Sequence, residues 1–74
     1  MVYVRALGPQ WEHLSSGREL EVEGGEVGVL ELLAALGIDP ADVGIVTVDG
    51  RQSRLDGTVP AAGRVYIFPP MMGG

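Results

Sequence analysis

The 74-residue sequence predicts one small α+β domain, in which one helix packs on one face of a mixed sheet of four to five strands. Two observations predict this fold class. Segments of alternating or β-branched residues indicate strands toward both ends of the sequence, and one segment between them has apolar residues at helical spacing. Glycine and proline residues separate these segments, so turn signals mark the boundaries.

The first two predicted strands form a hairpin. Val2 to Leu7 is rich in β-branched residues and ends at Gly8-Pro9, and a loop then runs to Gly17. Arg18 to Glu23 alternates between apolar residues and glutamates, which is typical of a half-buried strand with a solvated acidic face. Because only one loop separates the two strands, antiparallel pairing is the simplest arrangement.

The predicted helix runs from Val27 to Leu36. Its Leu-Leu-Ala-Ala-Leu sequence favours a helix, and its apolar residues recur at helical spacing. Gly37 lies where a C-terminal glycine cap is expected, and Pro40 follows at a suitable distance.

The second half of the sequence predicts the remaining strands. Ile45 to Val48 is a β-branched run, and Asp49-Gly50 is a hairpin signal before a short strand from Gln52 to Leu55. Pro60 to Gly63 is a predicted loop, and Arg64 to Phe68 is the final strand. Because a helix crosses over between the strand pairs, we expect the first and last strands to be parallel neighbours.

This order of elements is that of a β-grasp, or ubiquitin-like, domain, which we assign to residues 1–68. Its expected core consists of apolar residues from the inner face of the sheet and from the helix: Val2, Val4, Leu20, Val22, Leu30, Leu33, Leu36, Val65 and Ile67. Residues 69–74 are then a flexible tail that ends in Gly-Gly.

The sheet face opposite the helix is a candidate docking surface for a partner protein. Such faces are normally polar, but side-chain alternation places an aromatic and apolar patch there with one arginine: Tyr3, Arg5, Leu7, Tyr66 and Phe68. The alternative is that the loop from Gly8 to Gly17, which carries Trp11, folds over the patch. Four arginines either lie around this patch and meet acidic residues of a partner, or are ordinary solvated charges: Arg5, Arg51, Arg54 and Arg64.

The last residues suggest a tether. Pro69 and Pro70 end the strand and hold the exit extended, because proline cannot donate to a sheet. Gly73 and Gly74 remove every side chain beside the carboxylate, which suits a backbone that another protein encloses in a narrow channel. The side chains between them, Met71 and Met72, either enter such a channel or only space the glycines.

With this ending, the sequence resembles the MoaD/ThiS family of sulfur-carrier proteins over nearly its whole length. The matching segments are Val2 to Leu7, Glu31 to Gly37, Val48-Asp49-Gly50, Gly63 to Pro70 and Gly73-Gly74. The ending is the specific part of the resemblance, and it is more similar to the small subunit of molybdopterin synthase than to the thiamine-pathway carrier.

The resemblance implies a protein cosubstrate rather than an enzyme. In this family an E1-like enzyme uses ATP and magnesium to adenylate the terminal carboxylate, here that of Gly74, and a sulfur donor converts it to a thiocarboxylate. A larger catalytic subunit, similar to that of molybdopterin synthase, then accepts the sulfur, and the carrier itself binds no cofactor. Delivery to thiamine thiazole, to tRNA or to another metabolite stays open, as do conjugation to protein lysines and a non-covalent β-grasp interaction module.

Composition excludes several other functions. The net charge of −5, with five arginines and no lysine, argues against a nucleic-acid partner. The absence of cysteine excludes disulfides and thiolate chemistry, and one histidine, His13, cannot build a multi-histidine metal centre. We expect no membrane span, because no apolar run approaches about 20 residues. We also expect no secretory signal, because no basic region followed by an apolar core is visible at the start, and therefore a cytoplasmic location.

Overall fold

The computed structural model describes residues 1–70, which form an α+β domain with one α-helix. In chain order the elements are β1 (Val2–Ala6), a 3-10 helix (Pro9–Leu14), β2 (Arg18–Leu20), β3 (Glu26–Gly28), α1 (Val29–Leu36), a 3-10 turn (Pro40–Asp42), β4 (Ile45–Val48), β5 (Arg51–Ser53), β6 (Thr58–Pro60) and β7 (Arg64–Phe68). No helix in residues 1–70 is long and apolar enough to cross a membrane.

The main sheet is mixed and has five strands in the order β2-β1-β7-β4-β5. β1 and β7 are parallel, whereas the other three pairings are antiparallel. The predicted hairpin of the first two strands and the predicted parallel pairing of the first and last strands are both confirmed. A separate two-stranded ribbon joins β3 to β6.

The hydrophobic core lies between α1 and one face of the main sheet. Alternate residues of β1 and β7 are buried, as expected for strands with one face against a core. The buried apolar residues are Val2, Val4, Ala6, Trp11, Leu14, Val29, Leu32, Leu33, Leu36, Ile38, Val46, Val59, Val65 and Ile67. Trp11 belongs to this core, so it anchors the first loop.

The prediction of Leu30 as a core residue is wrong, because its side chain is 46% exposed. Leu32, which is 2% exposed, is buried instead. The helix begins two residues later than predicted, and its buried positions are Val29, Leu32, Leu33 and Leu36. These positions form one stripe at the spacing of a helical repeat, and Leu30 falls beside that stripe.

Several strand boundaries also differ from the predictions. β1 ends at Ala6 rather than Leu7, and β5 runs from Arg51 to Ser53 rather than from Gln52 to Leu55. The second strand ends at Leu20 rather than Glu23, so Leu20 and Val22 are only partly buried against the core. The start of the predicted helix is instead strand β3, whose Val27 pairs with Val59 of β6. Neither strand of this ribbon was predicted, because each has three residues and depends on a partner far along the chain.

The predicted Asp49-Gly50 turn is confirmed. It joins β4 to β5, with Val48 opposite Arg51, and both turn residues have positive φ, 52° and 85°. Positive φ at both central positions is what a two-residue type I′ hairpin turn requires. The Asp49 side chain also accepts a hydrogen bond of 2.9 Å from the backbone N–H of Arg64, which ties the turn to the start of β7.

We expect Leu33→Ala to lower the free energy of unfolding by about 2–5 kcal/mol, because the Leu33 side chain is fully buried. Leu30→Ala, in the same helix, should cost about 1 kcal/mol or less. Urea denaturation of both variants measures the difference. Equal losses would contradict the position of the helix stripe.

Candidate functional site

The sheet face opposite α1, here called the outer face, carries the predicted docking residues. Tyr3 and Arg5 alternate with buried residues along β1, and Leu7 follows directly after this strand. Tyr66 and Phe68 alternate with buried residues along β7. All five are half-buried. The parallel register sets Arg5 beside Tyr66, so the alternation predicted from the sequence brings these side chains onto one surface.

Aromatic and cationic groups stack at the β2 side of the outer face. The ring centroids of Tyr3 and Tyr66 are 6.4 Å apart, with the planes tilted by 55°. The guanidinium carbon of Arg64 lies 4.8 Å from the Tyr3 centroid, within the range of a cation–π interaction. The Tyr3 ring is therefore packed between Tyr66 and Arg64.

The first loop covers one edge of this face. The Nε–H of Arg5 donates a hydrogen bond to the carbonyl oxygen of Ser15. Gly17 lies so close to Tyr3 that a Cβ at this position would collide with the phenol. The alternative that the loop covers the patch therefore holds for Tyr3 and Arg5, whereas Trp11 turns into the core.

An apolar row borders the outer face where β7 ends. We define the apolar row as Leu7, Phe68 and Ile45. Ile45 is registered with Phe68, and the Leu7 N–H donates to Ile67 O at 2.8 Å, which continues the β1–β7 ladder toward Phe68. Ile45 is 38% exposed, which is high for an isoleucine in a sheet.

Ile45 is a candidate docking residue that the sequence analysis missed. The signal was present in the alternation of β4, where Val46 is buried and the residues on either side face outward. A run of four β-branched residues does not show which of them face the core.

The tail begins beside the apolar row. Pro69 is half-buried and Pro70 is exposed. The other tail residues predicted to act, Met71, Met72, Gly73 and Gly74, lie outside the described residues. The division into a domain of residues 1–68 and a flexible tail of 69–74 stays a prediction.

Two of the four arginines expected near the patch, Arg5 and Arg64, lie on the outer face. Arg51 is registered with Val48, whose side chain packs against the core, so it belongs to the helix side of the sheet edge. Arg54 forms an exposed ion pair with Asp56 at 3.1 Å. Exposed pairs of this kind contribute little to stability.

Glutamates dominate the opposite side of the molecule. A groove of about 280 Å³ lies between α1 and the segment that joins β2 to β3. Its rim carries four exposed carboxylates, and its floor is apolar and includes Leu32. The rim residues are Glu21, Glu23, Glu26 and Glu31. Within residues 1–70, no group of three or more His, Asp or Glu side chains is arranged to hold a metal ion.

Comparisons of the chain with protein-family models, with curated proteins and with solved structures found no match. The resemblance to the sulfur carriers therefore stays a prediction from the sequence motifs.

We expect Gly17→Ala to destabilise the domain more than Gly24→Ala does. Both glycines have positive φ, 94° and 79°, so each alanine costs about 1–2 kcal/mol of backbone strain. Only at Gly17 would the added methyl group also collide with a side chain, that of Tyr3. This collision should add about 1–3 kcal/mol to the loss of stability.

Urea denaturation measures both losses, and near-ultraviolet circular dichroism reports the environment of the tyrosines. The contact between Gly17 and Tyr3 would be refuted by equal losses together with unchanged tyrosine signals.

Proposed function

We propose that this protein is a sulfur carrier of the MoaD/ThiS type, built on a β-grasp domain. The observation that carries the proposal is the position of the apolar row. It adjoins the point where β7 passes into Pro69 and Pro70, and the sequence continues from there to Gly73-Gly74. The candidate docking surface and a tail that ends in two glycines thus begin at the same end of the sheet.

The topology supports the β-grasp assignment. The first and last strands are parallel neighbours in the sheet, and α1 packs across one face. With the helix on one side, the part of the other face that the first loop leaves uncovered can meet a protein partner.

The proposed chemistry takes place at the carboxylate of Gly74. One carboxylate oxygen attacks the α-phosphorus of ATP, and pyrophosphate leaves, so that an acyl adenylate forms. Sulfide then attacks the acyl carbon, the bond to AMP breaks, and a thiocarboxylate, AMP and a proton result. No electrons are exchanged, so no reductant is needed when sulfide is the donor. ATP and magnesium belong to the activating enzyme, and the carrier acts as its cosubstrate.

Two partners are proposed for the outer face. The first is an E1-like adenylating enzyme, and the second is a larger catalytic subunit that accepts the sulfur. Large apolar side chains in the apolar row suit a desolvated contact, and the exposed Arg64 suits acidic partner residues. Molybdopterin synthesis in the cytoplasm is the proposed destination, because the Phe68-Pro69-Pro70 ending is typical of that branch of the family.

The experiment that tests the proposal is intact mass measurement after incubation with a purified E1-like enzyme, ATP, magnesium and sulfide. We expect a mass increase equal to the replacement of one oxygen by sulfur, located at Gly74 by fragmentation. A carrier already known to react with the same enzyme is the positive control. The variant that lacks Gly74 should keep its original mass.

An unchanged mass with E1-like enzymes from each sulfur-carrier pathway would contradict the proposal and favour a non-covalent interaction module. Higher-mass conjugates in cell lysate that disappear when Gly74 is deleted would instead favour protein modification.

We expect Ile45→Asp to weaken binding of the activating enzyme by about tenfold or more, because the substitution places a charge in the centre of a desolvated contact. Leu55→Asp is the matched control, since Leu55 has the same 38% exposure and lies outside the apolar row. Calorimetric titration measures both affinities, and circular dichroism confirms that each variant folds. Equal losses for the two variants would place the contact elsewhere.

A further inference from the structure

Gly44 lies directly under the first residues of the tail. A Cβ built on Gly44 would be 2.5 Å from the carbonyl oxygen of Pro69, 2.6 Å from Cα of Pro70 and 2.8 Å from the carbonyl carbon of Pro69. All three atoms belong to the backbone, so a change of side-chain rotamer cannot relieve the contact. A methyl group at residue 44 must displace the tail.

The backbone conformation of Gly44 does not itself require glycine, because its φ lies outside the left-handed region. Its N–H donates a hydrogen bond of 2.8 Å to the carbonyl oxygen of Phe68, the last residue of β7. This hydrogen bond draws residue 44 against the strand end. The close approach of Pro69 and Pro70 therefore explains the glycine at this position.

Gly8 lies close to the Pro69 ring on another side. A Cβ on Gly8 would lie 3.4 Å from Cγ of Pro69 and 3.3 Å from Cε3 of the buried Trp11. Two successive prolines also restrict the backbone, since each ring fixes its own φ and limits the residue before it. The direction in which the chain leaves the sheet is thus set on both sides of Pro69.

We propose that Gly44 is a positioning residue that fixes the direction in which Pro69 and Pro70 leave the sheet relative to the apolar row. This inference rests on the proposed sulfur-carrier function. A partner that docks on the apolar row then receives the tail in its own active site, because the tail already leaves the sheet in the required direction. The six residues after Phe68 span at most about 20 Å, so an angular change at their base displaces Gly74 from the reacting phosphate.

The test compares Gly44→Ala with Gly25→Ala as substrates of the activating enzyme. Gly25 is the matched control, because no atom lies within 4 Å of a Cβ built there and its φ is also outside the left-handed region. For Gly44→Ala we expect kcat of thiocarboxylate formation to fall about tenfold, since misplaced reacting groups are costly. KM should stay within about twofold of the wild-type value, because the apolar row is intact. Gly25→Ala should match the wild type in both constants.

A second variant tests the proposal even if Gly44→Ala fails to fold. Replacing Pro69 and Pro70 together by glycine leaves residue 44 untouched and frees the exit direction, so kcat should again fall while KM is kept. A purely structural role for Gly44 would change the unfolding midpoint without this separation of kcat from KM. Wild-type values of both constants in either variant would overturn the proposal.

NMR separates this inference from the carrier function. In the wild-type protein we expect nuclear Overhauser contacts between the Hα protons of Gly44 and protons of Pro69 and Pro70, whether or not any activating enzyme accepts the chain. Their absence would overturn the positioning role directly. Wild-type protein that shows these contacts but is never converted would overturn the carrier function and with it the role assigned to the fixed direction.

Discussion

The parallel pairing of β1 with β7 is the interaction on which the rest of the structure depends. It places the last strand in the middle of the sheet, with β1 on one side and β4 on the other. Because both neighbours are hydrogen-bonded to β7, the alternating residues of the three strands form one continuous buried layer for α1. The same pairing fixes the outer face and the point at Phe68 where the chain leaves the sheet.

Charge is unevenly distributed over the molecule. The outer face carries Arg5 and Arg64 beside the aromatic rings, but it also carries the exposed Glu19, which is registered with Tyr3. The groove beside α1 is rimmed by glutamates. With a net charge of −5, the molecule as a whole repels acidic macromolecules, and the arginines of the outer face offset this repulsion only locally.

The sequence predicts the main sheet well because its patterns are local. Alternation in β1 and β7 identifies both the buried residues and the five residues of the candidate docking surface. The predicted helix start was wrong and the β3–β6 ribbon was not predicted, because Val27 fits both a helical and a strand pattern of apolar residues and pairs with the distant Val59. The assignment of Leu30 to the core was also wrong. The packing of Pro69 on Gly44 depends on backbones brought together by the fold, which no local pattern records. Most of the candidate surface was therefore predictable, whereas the geometry of the tail base was not.

Carrier-dependent exchange of labelled pyrophosphate into ATP is the most direct measurement of the central claim, since it reports reversible adenylation of the carboxylate before any sulfur is added. With an E1-like enzyme that is inactive in the absence of a carrier, the account predicts exchange that rises with the concentration of this protein and saturates. Removal of Gly74 should abolish that exchange. Exchange that is absent with the intact chain, or equal with and without Gly74, would contradict the account.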